Sequence, residues 1–528
     1  MKTENIVIVG GGSAGWMTAA TLITAFPKKC ITVVESPDVP TVGVGESTIL
    51  GIRKWARYIG LDEKDFLKHT DGSYKLSIKF TNFYKKDSGG FHYPFGSPIT
   101  MSDRNPVSDW HFKKFFHPET DVEDFVRCLF PSAALFENNK FTKDYPDIFD
   151  ADDVVAYHFD ATKFGIYLRD NICIPNGVKH VKNTVNHVET SNQGIDFIVC
   201  DNNKIFADLF VDCTGFKSLL LEQSLQEPFE SYDKILPNNK AWATKIDYKD
   251  KKQELEGFTN CTAIQNGWCW NIPLWSRLGA GYVYSDRYVS DKQALEEFKN
   301  YLTSEKMQVT RTPEEVDQLE FKNISIKSGI HTRTFVKNVV AIGLSAGFIE
   351  PLESNGLFSV HEFLFKLTDI LQRQEINQFD RDMYNISIRD MFDDFAKFVS
   401  LHYALSHRDD TEYWRDIQTR QFCDKHGDPY FPYIGRTDAY YNMSWRYMTE
   451  WGHPKDSVMN GITYISTGMH VFMMNKYRVD DLEYRTGRNF EIEINSIVEQ
   501  WEQLKNNWQK ISAESLSLYD YLKQEIHK

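Results

Sequence analysis

Residues 5–26 read NIVIVGGGSAGWMTAATLITAF. The β-branched run from Ile6 to Val9 predicts a strand, the glycines a tight turn, and the small and apolar residues after them a helix. Gly10, Gly12 and Gly15 match G-x-G-x-x-G. Gly10 allows the turn, Gly12 lets backbone approach a pyrophosphate, and Gly15 lets the helix pack close to the strand. A second strand, ITVVES at 31–36, ends in Glu35, a carboxylate able to accept hydrogen bonds from a ribose. With the free N–H groups and positive dipole end of a helix N-terminus, this is a Rossmann-type dinucleotide site in an α/β fold. Residues 6–26 are uncharged and long enough to suggest a membrane span, but glycines break the run and the flank MKTEN is not strongly basic. Neither a signal peptide nor a transmembrane helix is expected.

The chain has 528 residues, room for a large core and more than one domain. Its net charge is −14, and no basic tract is denser than FYKKD at 83–87. A nucleic-acid footprint is therefore not expected. Eight cysteines include no C-x-x-C pair, and several lie in apolar runs, so neither a metal site nor a disulfide framework is expected. A reduced, cytoplasmic protein is the simple reading.

Two downstream stretches say which dinucleotide. DLFVDCTGFKS at 208–218 and NVVAIGLSAGFIEPLES at 338–354 are each a strand running into a small-residue turn. They look like the second and third flavin contacts of flavoprotein monooxygenase-type folds, which favours FAD over NAD. No second G-x-G-x-x-G follows, so reduction of the flavin is expected from a separate NAD(P)H-dependent flavin reductase.

Four further motifs narrow the family. NGWCWNIPLWSR at 266–277 contains W-x-W-x-I-P; VGVGEST stands at 42–48, IKF at 78–80 and EPLESNG at 350–356. Together they closely resemble the flavin-dependent tryptophan halogenase family. DFAKFVSLHYALSHRDDTEYWRD at 394–416 resembles that family's helical region, so the likeness runs from Ile6 to about Trp414. The resemblance implies that reduced FAD and oxygen oxidise a halide to hypohalous acid. An internal tunnel then carries it to a lysine, which presents the halogen to an aromatic carbon.

Residue by residue, the resemblance assigns Gly10, Gly12, Ser13, Ala14, Gly15, Glu35, Glu46, Val185, Leu344 and Leu357 to FAD. It gives Trp268 and Trp270 a space-filling role beside the flavin. It assigns the halide to Asn355 and Gly356, the substrate side to Tyr93, Phe95 and Ser354, and catalysis to Lys79 and Glu353. Glu350 is expected to be structural, capping the turn. In GSYKLSIKFTNF at 72–83, Tyr74, Leu76, Ile78 and Phe80 alternate with Lys75, Ser77, Lys79 and Thr81. This predicts one strand with an apolar face and Lys79 on the other. A buried lysine there could hydrogen-bond hypohalous acid as ammonium or form a haloamine as neutral amine; the residues leave both open.

Two departures bear on specificity. Asn355 stands where the family usually has threonine, so bromide or iodide is expected ahead of chloride. In FHYPFG at 91–96, Tyr93 stands where histidine is usual, while Phe95 is retained. The expected substrate is therefore an electron-rich, indole-type arene that need not be free tryptophan. DAYYNMSWRYMTEW at 438–451 does not fit the tract that tryptophan-specific members use to hold the amino acid.

The organisation expected is an FAD-binding module interleaved with sheet over residues 1–360, then a mostly helical region over 361–528 packed on it. SVHEFLFKLTDILQR and EIEINSIVEQWEQLKNNWQKI show helical spacing. Self-association into a homo-oligomer is compatible with this reading. The alternatives are an aromatic hydroxylase using the same flavin chemistry and a flavin-bound subunit without activity. W-x-W-x-I-P, Lys79 and the missing nicotinamide domain speak against the first, and the joint presence of Lys79 and Glu353 against the second.

Overall fold

The computed structural model describes residues 1, 3–38, 45–420 and 457–528. The stretches 42–44 and 438–451 named above lie outside them.

Strand Asn5–Val9 is central to a six-stranded sheet, flanked by Leu209–Asp212 and Cys30–Glu35. Val339–Ala341 and Lys179–Lys182 extend the sheet outward, all in parallel register. Only the edge strand Phe335–Val336 is antiparallel. Ile6, Ile8, Leu209, Phe210, Val211, Val339 and Val340 are fully buried, as a parallel sheet covered on both faces requires. Helix Ser13–Ala25 packs on this sheet, buried nearly all round, and ends at Phe26 before Pro27. This is the Rossmann-type arrangement.

A second sheet of seven strands carries the chemistry. Its order is Lys322–Ser325, Lys240–Ile246, Leu278–Tyr284, Gly267–Pro273, Phe258–Ile264, Ser77–Thr81 and Gly90–Pro94. All neighbours are antiparallel except Phe258–Ile264 with Ser77–Thr81. A small third sheet pairs Ala156–Phe159 with Glu46–Ser47 on one side and Ser73–Lys75 on the other.

The predicted single strand through residues 74–81 is in fact two. Ser73–Lys75 belongs to the small sheet and Ser77–Thr81 to the large one; between them Leu76 donates to the Gly257 carbonyl and accepts from Phe95. The chain changes sheets there, so period-two alternation does not carry across Leu76.

Helices follow from Gly356: Gly356–Leu371, Gln378–Ala404 and Glu412–Arg420, then Ser457–Gly468, Lys476–Thr486, Phe490–Glu514 and Leu518–Glu525. The first runs through residue 360, so the flavin module and the helical region share an element. Phe490 stacks on Phe112 at 4.5 Å, and Leu516–Ser517 pairs with Lys140–Phe141, joining the C-terminal helices to the core. Among the described residues no helix is long and apolar enough to cross a membrane.

Candidate active site

The parallel strands deliver their C-terminal ends to a cavity of about 600 Å³. Val9–Ala14, Glu35, Cys213–Phe216 and Ile342–Leu344 line it, each following one of those strands. The glycine turn is built as its spacing predicts. Gly10 has φ +115°, and a Cβ there would lie 2.2 Å from the Cys213 carbonyl oxygen. A Cβ at Gly15 would lie 1.9 Å from the Gly10 oxygen, so Gly15 sits behind the turn, not on the cavity wall. At Gly12 nothing among the described residues lies within 4 Å of the Cβ position, leaving the backbone open to a ligand. Gly12 also caps helix Ser13–Ala25 without a side-chain acceptor, so the first helical N–H groups remain available to an anion.

Glu35 lines the same cavity and is held by His180 Nε2 at 2.7 Å. Ser13, Ala14, Val185, Leu344 and Leu357 are also on the wall. So is Glu46, whose carboxyl is pushed up to about 7 by burial and by the charge of Asp160. An open glycine turn, an uncapped helix and a carboxylate at the next strand end fit FAD.

The far wall is one face of the seven-stranded sheet. In register, Phe91, Phe80, Cys261, Trp270 and Gly281 form one row across it. Cys261, Trp268, Trp270, Thr259 and Ile272 line the cavity. Trp268 and Trp270 lie 6.1 Å apart between ring centroids, and Gly281 gives Trp270 its room: a Cβ there would be 2.1 Å from the ring.

The neighbouring row, His92, Lys79, Asn260 and Asn271, faces the other way. Lys79 is therefore on the side of the sheet away from the cavity. Its Nζ lies 5.8 Å from the Phe258 ring centroid, and its charge acts on His92 and Glu256. The structure does not bring Lys79 to Glu353. It brings Lys75 there instead, because the sheet change at Leu76 turns that side chain inward. Lys75 is fully buried. Its Nζ donates to Ser354 Oγ and to the Thr48 carbonyl, both at 2.9 Å, and lies 5.2 Å from the Phe95 ring centroid. Burial brings its pKa down to about 7, with the neighbouring Cys261 and Glu353 acting the other way.

Pro351, Ser354, Asn355 and Gly356 of the loop 350–356 line the cavity, so Ser354, expected on the substrate side, stands on the same wall as Asn355. Glu350 is fully buried and its carboxyl is pushed up to about 7 by burial, against hydrogen bonds from Tyr403 and from Asn238 at 2.9 Å. It does not cap the short helix Pro351–Glu353; it anchors the loop to helix Gln378–Ala404. Ser354 takes the left-handed conformation, φ 56°, which costs a non-glycine residue about 1–2 kcal/mol. That turn separates Glu353 from Asn355. Glu353 is buried against His402, with Oε1 and Nε2 2.6 Å apart but off the line of a well-formed hydrogen bond. His402 Nδ1 lies 3.2 Å from the Phe398 and Val399 carbonyls, which only accept, so Nδ1 carries an N–H.

Asn355 and Gly356 face the cavity. The Asn355 amide is buried, and among the described residues neither its nitrogen nor its oxygen has a partner. Gly356 opens a 16-residue helix, with nothing among the described residues within 4 Å of its Cβ position. Tyr93 and Phe95 are buried away from this cavity, Tyr93 against Phe398 and Tyr464 and Phe95 beside Lys75.

The family model described as tryptophan halogenase matches residues 5–428. The chain belongs to the tryptophan halogenase family. It is 33% identical over 443 residues to tryptophan 7-halogenase RebH of Lentzea aerocolonigenes, covering 80% of each chain. Among solved structures it is similar to VirX1 in its apo form, with TM-score 0.89, 34% identity and coverage of 100% of this chain and 99% of that one. It is also similar to tryptophan 6-halogenase SttH of Streptomyces toxytricini, with TM-score 0.84, 28% identity and coverage of 98% and 99%. It is thus an enzyme, a flavin-dependent halogenase.

Sequence reading of this halogenase missed Lys75 and His402. Lys75 has the same parity as Lys79, and nothing local marks Leu76 as a change of sheet. His402 lies in a helix whose neighbours Phe398 and Val399 read as ordinary core. A carboxylate at 353 without a nearby cation in sequence was the one available hint that a distant partner exists.

Proposed function

We propose that the halogenase uses reduced FAD, oxygen and a halide to halogenate a small electron-rich arene, with Lys75 carrying the halogen and Glu353 assisting. The observation that carries this reading is the position of Lys75 Nζ. It is 2.9 Å from Ser354 Oγ, next to Glu353, and faces Phe95 of the substrate-side motif. Bound in the cavity, reduced FAD with oxygen supplies the oxidising equivalents that convert halide to hypohalous acid.

The chain's own residues do the rest. Trp268 and Trp270 fill the wall between cavity and substrate side. Asn355 Nδ2 and the free N–H groups at the start of helix Gly356–Leu371 are donors for a halide. An amine brought to about 7 is partly neutral at pH 7, so Lys75 has a lone pair for electrophilic halogen. Glu353 can stabilise the cation developing on the ring and take its proton. A cytoplasmic enzyme served by a separate flavin reductase completes the reading.

The assay supplies NADH, FAD, a flavin reductase, each halide and an indole or phenol, with products read by mass spectrometry. Halogenated product supports the proposal; hydroxylated product defeats it. Without the reductase, NADH should reduce bound FAD negligibly in stopped flow, and fast reduction would remove the need for a partner enzyme.

Halide preference is proposed from Asn355. Larger halides lose water at lower cost, and a pocket in which amide replaces hydroxyl suits bromide or iodide. With equal chloride and bromide, brominated product should dominate, and Asn355→Thr should shift the ratio toward chloride. A mixture dominated by chlorinated product would defeat the halide assignment.

A further inference from the structure

A chain of buried hydroxyls leads away from Lys75. Lys75 Nζ donates to Ser354 Oγ at 2.9 Å, and Ser354 Oγ donates to Ser47 Oγ at 3.0 Å. Ser47 Oγ lies 2.6 Å from Thr259 Oγ1, which lies 2.8 Å from His158 Nε2. On the other side of the ring, His158 Nδ1 is 3.4 Å from Ser73 Oγ, and Ser73 Oγ donates to the Pro273 carbonyl at 2.7 Å. Every one of these side chains is buried.

The far end fixes the direction of the whole chain. A carbonyl only accepts, so the Ser73 hydrogen is committed to Pro273 and Ser73 must accept from His158 Nδ1–H. His158 Nε2 is then the lone-pair nitrogen and accepts from Thr259. Thr259 in turn accepts from Ser47, Ser47 from Ser354, and Ser354 from Lys75. Every hydrogen points from Lys75 toward His158, the polarity that successive hops of one proton require.

We propose that this chain carries a proton from the Lys75 ammonium to His158 Nε2, so that Lys75 meets hypohalous acid as the neutral amine. The inference rests on the reading of Lys75 as halogen carrier. In balance, R–NH3⁺ + HOX + His gives R–NHX + H2O + HisH⁺. The nitrogen lone pair attacks X and the X–O bond breaks. One nitrogen proton goes to His158, and another joins the departing hydroxide as water. The halogen of hypohalous acid is the oxidant, and the amine nitrogen is oxidised by two electrons.

The environment suits an internal transfer. Moving the proton to His158 adds no charge to the buried region, and the relay hydroxyls Ser354, Ser47 and Thr259 run together along the cavity wall. Burial holds the His158 imidazolium well down, followed by the charge of Lys75, while the Pro273 carbonyl acts the other way. The Lys75 contribution disappears once the proton has moved. Glu353 and Cys261 are the titratable groups facing Lys75. The Cys261 thiol is raised by burial and stays protonated, so Glu353 is the competing acceptor.

The test measures halogenated product per flavin oxidised from pH 6 to 8 with reductase, FAD, NADH and bromide. With the chain intact, the proton on Lys75 need not reach solvent, and the yield should be flat below about pH 7. Thr259→Val breaks the chain while keeping the shape, so the yield should fall about tenfold per pH unit below the Lys75 pKa. Thr259→Ser should restore the flat profile, and His158→Gln, which cannot hold the proton, should reproduce the slope. Flat profiles in Thr259→Val and His158→Gln overturn the proposal and assign the proton to Glu353. A slope in Thr259→Ser also overturns it, because the hydroxyl would then be irrelevant. Lys75→Met separates the two readings: regioselective product from that variant sinks the halogen-carrier assignment itself.

Discussion

Lys75→Met should abolish halogenation, with a loss of roughly 10³-fold or more, while flavin still oxidises and peroxide is released. Losses of that size accompany removal of a group that bonds to the reacting atom. Lys75 acts after hypohalous acid has formed, so the first half of the reaction does not need it. Methionine keeps most of the buried volume. It leaves Ser354 Oγ and the Thr48 carbonyl without their donor, at a cost of about 1–3 kcal/mol, but also removes a buried charge. Lys79→Met should change the rate by no more than about threefold, the range of a substitution away from the site. Product analysis of both variants beside peroxide release decides the matter. Loss of halogenation in Lys79→Met with activity retained in Lys75→Met would reverse the assignment.

The two lysines also show where sequence reading is strong and where it stops. The nucleotide half was legible because its requirements are local. A turn with φ +115° at Gly10 and a Cβ-free approach at Gly15 admit glycine alone, so the spacing carries the geometry. Glu35 was legible for the same reason, at the end of the second strand. The lysine was not, because its orientation depends on a non-local event. Leu76 bonds to Gly257 and Phe95, residues far away in the chain, and that pairing moves the strand from one sheet to another. Alternation predicts parity only while a strand stays in one sheet. The 350–356 loop falls between these cases. Two carboxylates in an apolar run announced a site, but their separate roles come from Tyr403, Asn238 and His402, which only the fold brings near.

Glu353→Gln should lower the halogenation rate by roughly 10²- to 10⁴-fold, the reach of a general base combined with charge stabilisation. The substitution keeps size and hydrogen-bonding capacity, so its effect reports the charge. His402 strengthens the case. Its Nδ1–H is tied to the Phe398 and Val399 carbonyls, and Nε2 lies 2.6 Å from Glu353 Oε1. A ring proton taken by Glu353 therefore has the Nε2 of His402 within reach as its next stop. Glutamine cannot take that proton. Glu350→Gln is the control on the same loop. Glu350 is already pushed toward the neutral acid by burial and is engaged by Tyr403 and Asn238. An amide there should cost stability before it costs chemistry, with thermal unfolding shifted down and the rate per folded enzyme within about threefold. Single-turnover rates with substrate saturating measure both variants. If Glu353→Gln stays within a factor of two of the parent while Glu350→Gln collapses, the base is Glu350, and the left-handed turn at Ser354 does not separate the roles as argued.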